Sequence, residues 1–273
     1  QLMSASHSAL TAISAAGKVE DILAIDTARP WNPALPADPE RFNGIRMEHV
    51  SYGYEGRDRA LQDVTLKIPR GSVAALVGLS GCGKSTTASL LMRFCDPITG
   101  KIYMDGKDYC SLKPEELRRH IAMVPQQVNL FSGTIRENLL LADPQADDAT
   151  LWEALAEAGL EKFVRALPRG LDADVGNAGA SLSGGQRQKI GIARALLSRA
   201  EYMIFDEATS SVDPESEKEI WETIGRLAHT RTLIIISHRM STVRGADCIY
   251  VLQKGEVAQR GSHTELMAQD GLY

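Results

Sequence analysis

Apolar residues recur at Leu2, Ala5, Ala9, Ile13, Ala16, Ile22 and Ile25, a loose stripe with helical spacing. The next stretch, RPWNPALPADPER, carries prolines at 30, 33, 36 and 39 and reads as a semi-extended linker. The pattern therefore predicts an N-terminal helix and linker over residues 1–40 and a folded domain over 41–273. Two alternating segments follow, GIRMEHVSYGY and ALQDVTLKIP, which read as antiparallel strands. Three continuous apolar runs then stand out: VAALVG (73–78), YMIF (202–205) and LIIIS (233–237). Runs of this kind predict strands buried on both faces, as in a parallel α/β sheet. Between the first two runs lies a helix-rich stretch of about 127–195, where DDATLWEALAEAGL places Leu151, Ala154, Leu155 and Ala158 on one face.

Composition changes this picture little. The 273 residues suffice for one large or two small domains, and 44% hydrophobic with 24% charged residues is ordinary for a globular chain. A formal net charge of −5 argues against a general nucleic-acid binder. Cys82, Cys95, Cys110 and Cys248 stand too far apart for zinc or redox spacing, which makes a reducing compartment the default. There is no run of 18 apolar residues and no signal-peptide pattern. The chain opens at Gln1 inside the helical stripe, so it is expected to be cut from a longer one.

The chemistry begins after the first apolar run. GLSGCGKST, Gly78 to Thr86, matches the G-x-x-x-x-G-K-[ST] pattern between a strand and a helix. Gly78, Gly81 and Gly83 let backbone amides, those of Ser80 and Cys82 among them, curl around phosphate oxygens, and the helix start adds positive potential. Lys84 is expected on the β- and γ-phosphates, and Ser85, followed by Thr86, supplies a hydroxyl to Mg²⁺. YMIFDEATSSVD delivers the second element. Asp206 closes a buried strand, where α/β sheets bind ligands, and is expected to hold Mg²⁺; its neighbour Glu207 can polarise the attacking water. Together these define a nucleoside triphosphatase core built on a phosphate loop.

SLSGGQRQKIGIARAL, residues 181–196, puts adjacent glycines at the start of a helix, where each costs about 1 kcal/mol relative to Ala in a helix interior. An anion approaching the helix N-terminus would require the bare backbone. With LSGGQ at Leu182–Gln186, the sequence closely resembles the ATP-binding cassette (ABC) family over nearly all of residues 41–273. The resemblance implies a RecA-like phosphate-loop core, an antiparallel β subdomain and an inserted helical subdomain at about 127–195. It implies that Ser183, Gly184, Gly185 and Gln186 contact the γ-phosphate bound by a partner, so that two such domains sandwich two ATP molecules head to tail.

Further roles follow from the same resemblance. Tyr54 resembles the residue that stacks on adenine, with Tyr52 as the alternative. Gln126 matches the glutamine that senses Mg²⁺ and the lytic water, ahead of Gln127. SSVD, ending at Asp213, looks like the loop that crosses the dimer interface. His238 looks like the switch histidine at the γ-phosphate; His7, His49, His120, His229 and His263 lack that context. Cys82 offers a redox brake on ATP binding, although space filling by a small side chain is the plainer reading.

LFSGTIRENL (130–139) and the segment 238–273 resemble the exporter branch, in which a membrane domain precedes this one in the same chain. That branch implies a transmembrane-domain partner, a second nucleotide-binding domain of the same or another chain, and a place on the cytoplasmic face of the membrane. Asn177 and Ala178 depart from the Glu and basic residue usual there, which touches the expected coupling contacts and not the ATP chemistry. An importer subunit and a soluble non-transport ATPase are the alternatives; the helix and linker at 1–40, the single cassette and the acidic charge point away from them.

Overall fold

A computed structural model describes residues 31–273 except 55, 57, 58 and 211, and the side chains of 240 and 241 lie outside the description as well. The helix expected over 2–25 lies outside the described residues. The chain divides into Gln1–Trp31 and Asn32–Tyr273, and the second unit holds the elements described below.

Strands β1 (Gly44–Gly53) and β2 (Arg59–Pro69) form the antiparallel pair that their alternation predicts, in the register Gly44↔Pro69 to Gly53↔Arg59. After β3 (Val73–Val77), helix α1 (Lys84–Leu91) leads to β4 (Thr99–Met104) and β5 (Lys107–Asp108), which complete a four-stranded sheet in the order β2-β1-β4-β5. Helix α2 (Pro114–His120) precedes β6 (Ile121–Val124). A helical layer follows: α3 (Ile135–Leu140), α4 (Asp148–Glu157), α5 (Glu161–Ala166) and α6 (Gly184–Leu197). The chain then alternates through β7 (Tyr202–Asp206), α7 (Pro214–Leu227), β8 (Thr232–Ile236), α8 (Met240–Val243), β9 (Cys248–Gln253), β10 (Glu256–Gly261) and α9 (His263–Met267).

The second sheet has the order β10-β9-β3-β8-β7-β6, parallel except for β10. Its apolar runs sort by alternation, as two-sided burial requires. Val73, Ala75, Val77, Met203, Phe205, Leu233 and Ile235 face one core cluster with the helical layer. Ala74, Leu76, Ile204, Ile234 and Ile236 face the other, shared with Ile45, Met47, Leu61 and Leu66 of the antiparallel sheet. In α4, Leu151, Ala154 and Leu155 are buried, the face its spacing predicts, and Asp147 caps its start.

The compact unit begins at Asn32, nine residues before the boundary expected at Arg41. Prolines favour extended backbone but do not prevent packing. The Asn32 amide donates to the Cys110 carbonyl at 2.7 Å and the Asp38 amide to the Gly106 carbonyl at 2.8 Å. Asp38 is 2% exposed and pairs with Arg46, also 2% exposed, whose guanidinium stacks 4.7 Å from the Tyr103 ring centre. Burial pushes the Asp38 carboxyl up. The Glu40 amide, Arg46 and the Phe42 amide together more than reverse this, leaving its pKa below the ordinary value.

Removing one member of a buried pair strands the other, so Asp38→Ala is expected to cost about 3 kcal/mol in chemical denaturation at pH 7. A carboxylate with a lowered folded-state pKa stabilises fully above its unfolded value, here near 3.8, and loses that contribution as pH falls through the folded value. The gap between wild type and variant should therefore shrink below pH 4 in parallel denaturation curves.

Candidate nucleotide site

The parallel strands end on one edge, and the register fixes what meets there. Leu76 pairs with Ile236 and Ile236 with Asp206, so the ends of β3, β8 and β7 stand in one row. Two residues beyond that row lie Gly78 and His238. Gly78, Leu79, Ser80, Glu207 and His238 line one cavity of about 400 Å³, together with Val77, Val251, Leu272 and Tyr273.

The phosphate loop runs from Gly78 to Gly83. Gly83, the residue before α1, has φ +110, and a Cβ there would lie 2.4 Å from Leu61 Cδ2 and 2.8 Å from the Ala60 carbonyl. No other residue fits between this loop and β2. Lys84 is 6% exposed, and its ammonium donates to the carbonyls of Gly78 at 2.8 Å and Leu79 at 3.1 Å. The lysine thereby fixes the curl of the loop. Among the described residues, no backbone carbonyl accepts from the amides of Ser80, Gly81, Gly83 or Lys84. Cys82 is buried with its sulfur 3.9 Å from Lys84 Nζ, so the thiol fills the interior of the loop.

Asp206 carries the electrostatic strain. Burial and then the adjacent Glu207 charge raise its pKa above the ordinary carboxylate value; Lys84 and a hydrogen bond from Ser85 offset this only in part. Ser85 and Asp206 are thus side by side. Glu207 follows in the left-handed region, with φ +46, a conformation that costs a non-glycine residue roughly 1–3 kcal/mol. Its amide donates to the Ile236 carbonyl at 2.9 Å and its carbonyl accepts from the Ser210 amide at 3.0 Å. The turn aims the carboxylate at His238, with Glu207 Oε1 3.5 Å from His238 Nδ1. Tyr54 is 44% exposed, with its hydroxyl 3.4 Å from Thr86 Oγ1, and meets Tyr52 edge to face at 5.1 Å. Tyr52 packs against the core between the sheets, so Tyr54 is the ring left open beside the loop.

The other expected residues gather elsewhere. Ser183 is the residue before α6; its hydroxyl accepts from the Gln186 amide, and Gln186 Oε1 accepts from the Ser183 amide at 2.9 Å, a reciprocal capping box. Gln186 is therefore engaged in holding the helix start. Gly185 is explained by packing: a Cβ there would lie 2.4 Å from Ser216 Oγ of α7. Gly184 lines a separate cavity of about 350 Å³ with Gln126, Gln127 and Ala178. Both glutamines line it, and neither lines the cavity of the phosphate loop. Asp213 caps α7, accepting from the Ser216 amide at 2.9 Å, and these bonds lower its pKa. Ser210 Oγ is buried without a hydrogen-bond partner among the described residues. Arg194 of α6 donates to the carbonyls of Asn138 and Asn129, each at 2.8 Å, and ties the 130–139 segment to the helix. Ser132 Oγ donates to Asn177 Oδ1 at 3.1 Å, and Ala178 has φ +52, so the departing loop is held by contacts of its own.

Sequence reasoning missed Thr209, Glu217, Trp221 and Arg239, which interact behind the Glu207 and His238 loops. Their separations in sequence carry no local signal.

A parallel sheet with a glycine-rich loop after β3 and acidic residues after β7 defines a phosphate-loop nucleoside triphosphatase fold. The family model described as ABC transporter matches residues 61–210, more than half of the chain, and the chain belongs to that family. It is 44% identical over 239 residues to the ATP-dependent lipid A-core flippase of Vibrio cholerae, covering 86% of this chain and 41% of the flippase. It is 40% identical over 265 residues to the mitochondrial potassium channel ATP-binding subunit of Homo sapiens, covering 96% of this chain and 36% of that protein. A solved structure of a bacterial Atm1-family ABC exporter with ATP bound superposes with a TM-score of 0.80 at 37% identity, covering 91% of this chain and 42% of the exporter. The chain thus spans less than half the length of these relatives. Among the described residues, no helix is long and apolar enough to cross a membrane.

The raised pKa of Asp206 has a measurable consequence. The charged form is disfavoured in the fold, so its penalty applies above the folded-state pKa and is relieved as pH falls through it. Asp206→Asn is expected to raise the melting temperature of the nucleotide-free chain at pH 7.5, by at most a few °C in a domain of this size. Calorimetry over descending pH should show the gain shrinking as the pH falls toward the unfolded value near 3.8.

Proposed function

We propose that this domain hydrolyses ATP with Mg²⁺ and drives substrate export through a membrane domain. The observation that carries the reading is the single cavity in which Glu207 and His238, 3.5 Å apart, face the phosphate loop at Gly78–Ser80. Lys84 and the amides of Ser80, Gly81, Cys82 and Gly83, with Thr86 at the helix start, neutralise and cradle the phosphates. Tyr54 stacks on the adenine, a contact worth about 1–3 kcal/mol. Among the described residues, no three His, Cys, Asp or Glu side chains are arranged to hold a metal ion by themselves. Ser85 and Asp206 therefore suit a cation that takes its remaining ligands from phosphate and water, as Mg²⁺ does. When bound, Mg²⁺ neutralises charge building up on the phosphoryl oxygens. Glu207 takes the proton of the attacking water, and His238 hydrogen-bonds the γ-phosphate.

Ser183, Gly184 and Gly185 lie away from this cavity, which supports their action on the phosphate loop of a second domain, identical or different. The segment Ser210–Asp213 crosses that interface in this reading. Gln126, which lines the separate cavity with Gly184, would contact Mg²⁺ and the lytic water in this reading. The 36–42% coverage of the relatives leaves room for a membrane domain in the same polypeptide. We infer from this reading a position on the cytoplasmic face of the membrane, with no role for nucleic acid.

Mg²⁺-dependent ATP hydrolysis measured against protein concentration tests this reading. Specific activity should rise with concentration, and Glu207→Gln should lower kcat at least about a hundredfold while keeping ATP binding. An unchanged rate in the variant contradicts the role of Glu207, and failure of the wild-type chain to bind ATP contradicts the whole reading.

A further inference from the structure

Behind the site, a cavity of about 710 Å³ separates α7 from the β8–α8 segment and is lined by Trp221, Ile224, Leu233 and Ile235. Apolar packing is therefore interrupted where α7 passes the loop that carries His238. A polar junction bridges the mouth of this cavity. The Arg239 guanidinium, one residue beyond His238, donates to Glu217 Oε1. The same oxygen accepts from Thr209 Oγ1 at 3.2 Å, and Trp221 Nε1 donates to Thr209 Oγ1 at 3.2 Å. Thr209 is 4% exposed and lies two residues beyond Glu207. One carboxylate on the first turn of α7 thus joins both loops that face the phosphate. The residue before Glu217 is Ser216, against which Gly185 of the signature helix packs without room for a Cβ.

We propose that Glu217 is a positioning residue for hydrolysis, holding Glu207 and His238 in register through Thr209 and Arg239. The inference rests on the reading of Glu207 and His238 as the groups that face the γ-phosphate. Glu217 touches neither the phosphate loop nor the cavity at Gly78–Ser80, so its effect falls on the rate and not on ATP affinity. The pair is partly exposed, with side chains 19% and 39% accessible, and pairs of this kind add little to global stability. The geometry of reacting groups is far less tolerant, since a displacement of about 1 Å can cost about a hundredfold in rate.

Glu217→Gln keeps an acceptor for Thr209 and removes the charge; Arg239→Gln removes the pair from the other side. With the 273-residue chain, each variant should lower kcat for MgATP about tenfold, with KM and the Kd of a fluorescent ATP analogue within about twofold of wild type. The double variant should be no slower than the slower single, because one interaction has been lost twice. Multiplicative losses, a wild-type rate in Glu217→Gln, or a loss confined to KM overturn the proposal. A wild-type chain that binds the analogue without hydrolysing it counts against the functional reading alone. Amide exchange then decides the positioning role: Glu217→Gln should speed exchange at Thr209, Ser210 and Arg239 about tenfold while Ile224 in α7 stays unchanged. Equal exchange in both proteins overturns it.

Discussion

Leu76, Ile236 and Asp206 stand in one row across three neighbouring parallel strands, and that register governs what the molecule can do. Side chains of β3, β7 and β8 are buried on both faces, so a slip of one residue would exchange the two cores. The same register sends the phosphate loop, Glu207 and His238 out of the sheet at one edge. The site is therefore as well positioned as the core beneath it. Hydrophobic packing supplies the order, and the loops at the strand ends exploit it.

That order sustains local strain. Glu207 adopts a left-handed backbone, burial and the neighbouring Glu207 charge raise the pKa of Asp206, and Gly83 admits no side chain. Each feature opposes stability and brings a polar group to one place. A cation or phosphate at this edge would relieve the charge at Asp206 and engage the loop amides. The fold is accordingly matched to a ligand-bound state.

Much of this was legible in the sequence. The runs at 73–78, 202–205 and 233–237 announced themselves because two-sided burial leaves no polar alternation, and the phosphate loop because its glycines and lysine have few other uses. What escaped depended on distant partners. The proline-rich stretch read as linker, yet Asp38 finds Arg46 eight residues on and draws residues 32–40 onto the domain. Gly185 read as an anion contact, while its packing partner Ser216 lies 31 residues downstream. Gln186 and Asp213 have local partners: they also bond Ser183 and the Ser216 amide, three residues away, at the starts of α6 and α7. β9 carries an apolar run, Cys248–Leu252, as long as that of β3, and β10 alternates only between exposed and half-buried positions. The junction of Thr209, Glu217 and Arg239 joins three segments that only the fold brings together.

Each site is proposed to be shared between two domains, with the phosphate loop from one and the signature helix from the other. Mixing Lys84→Ala chains with Ser183→Arg chains tests it directly. Each variant alone should be inactive, whereas an equal mixture forms mixed dimers with one intact site and should recover about a quarter of wild-type ATP hydrolysis. A mixture as inactive as its components, although dimers form, would contradict the claim.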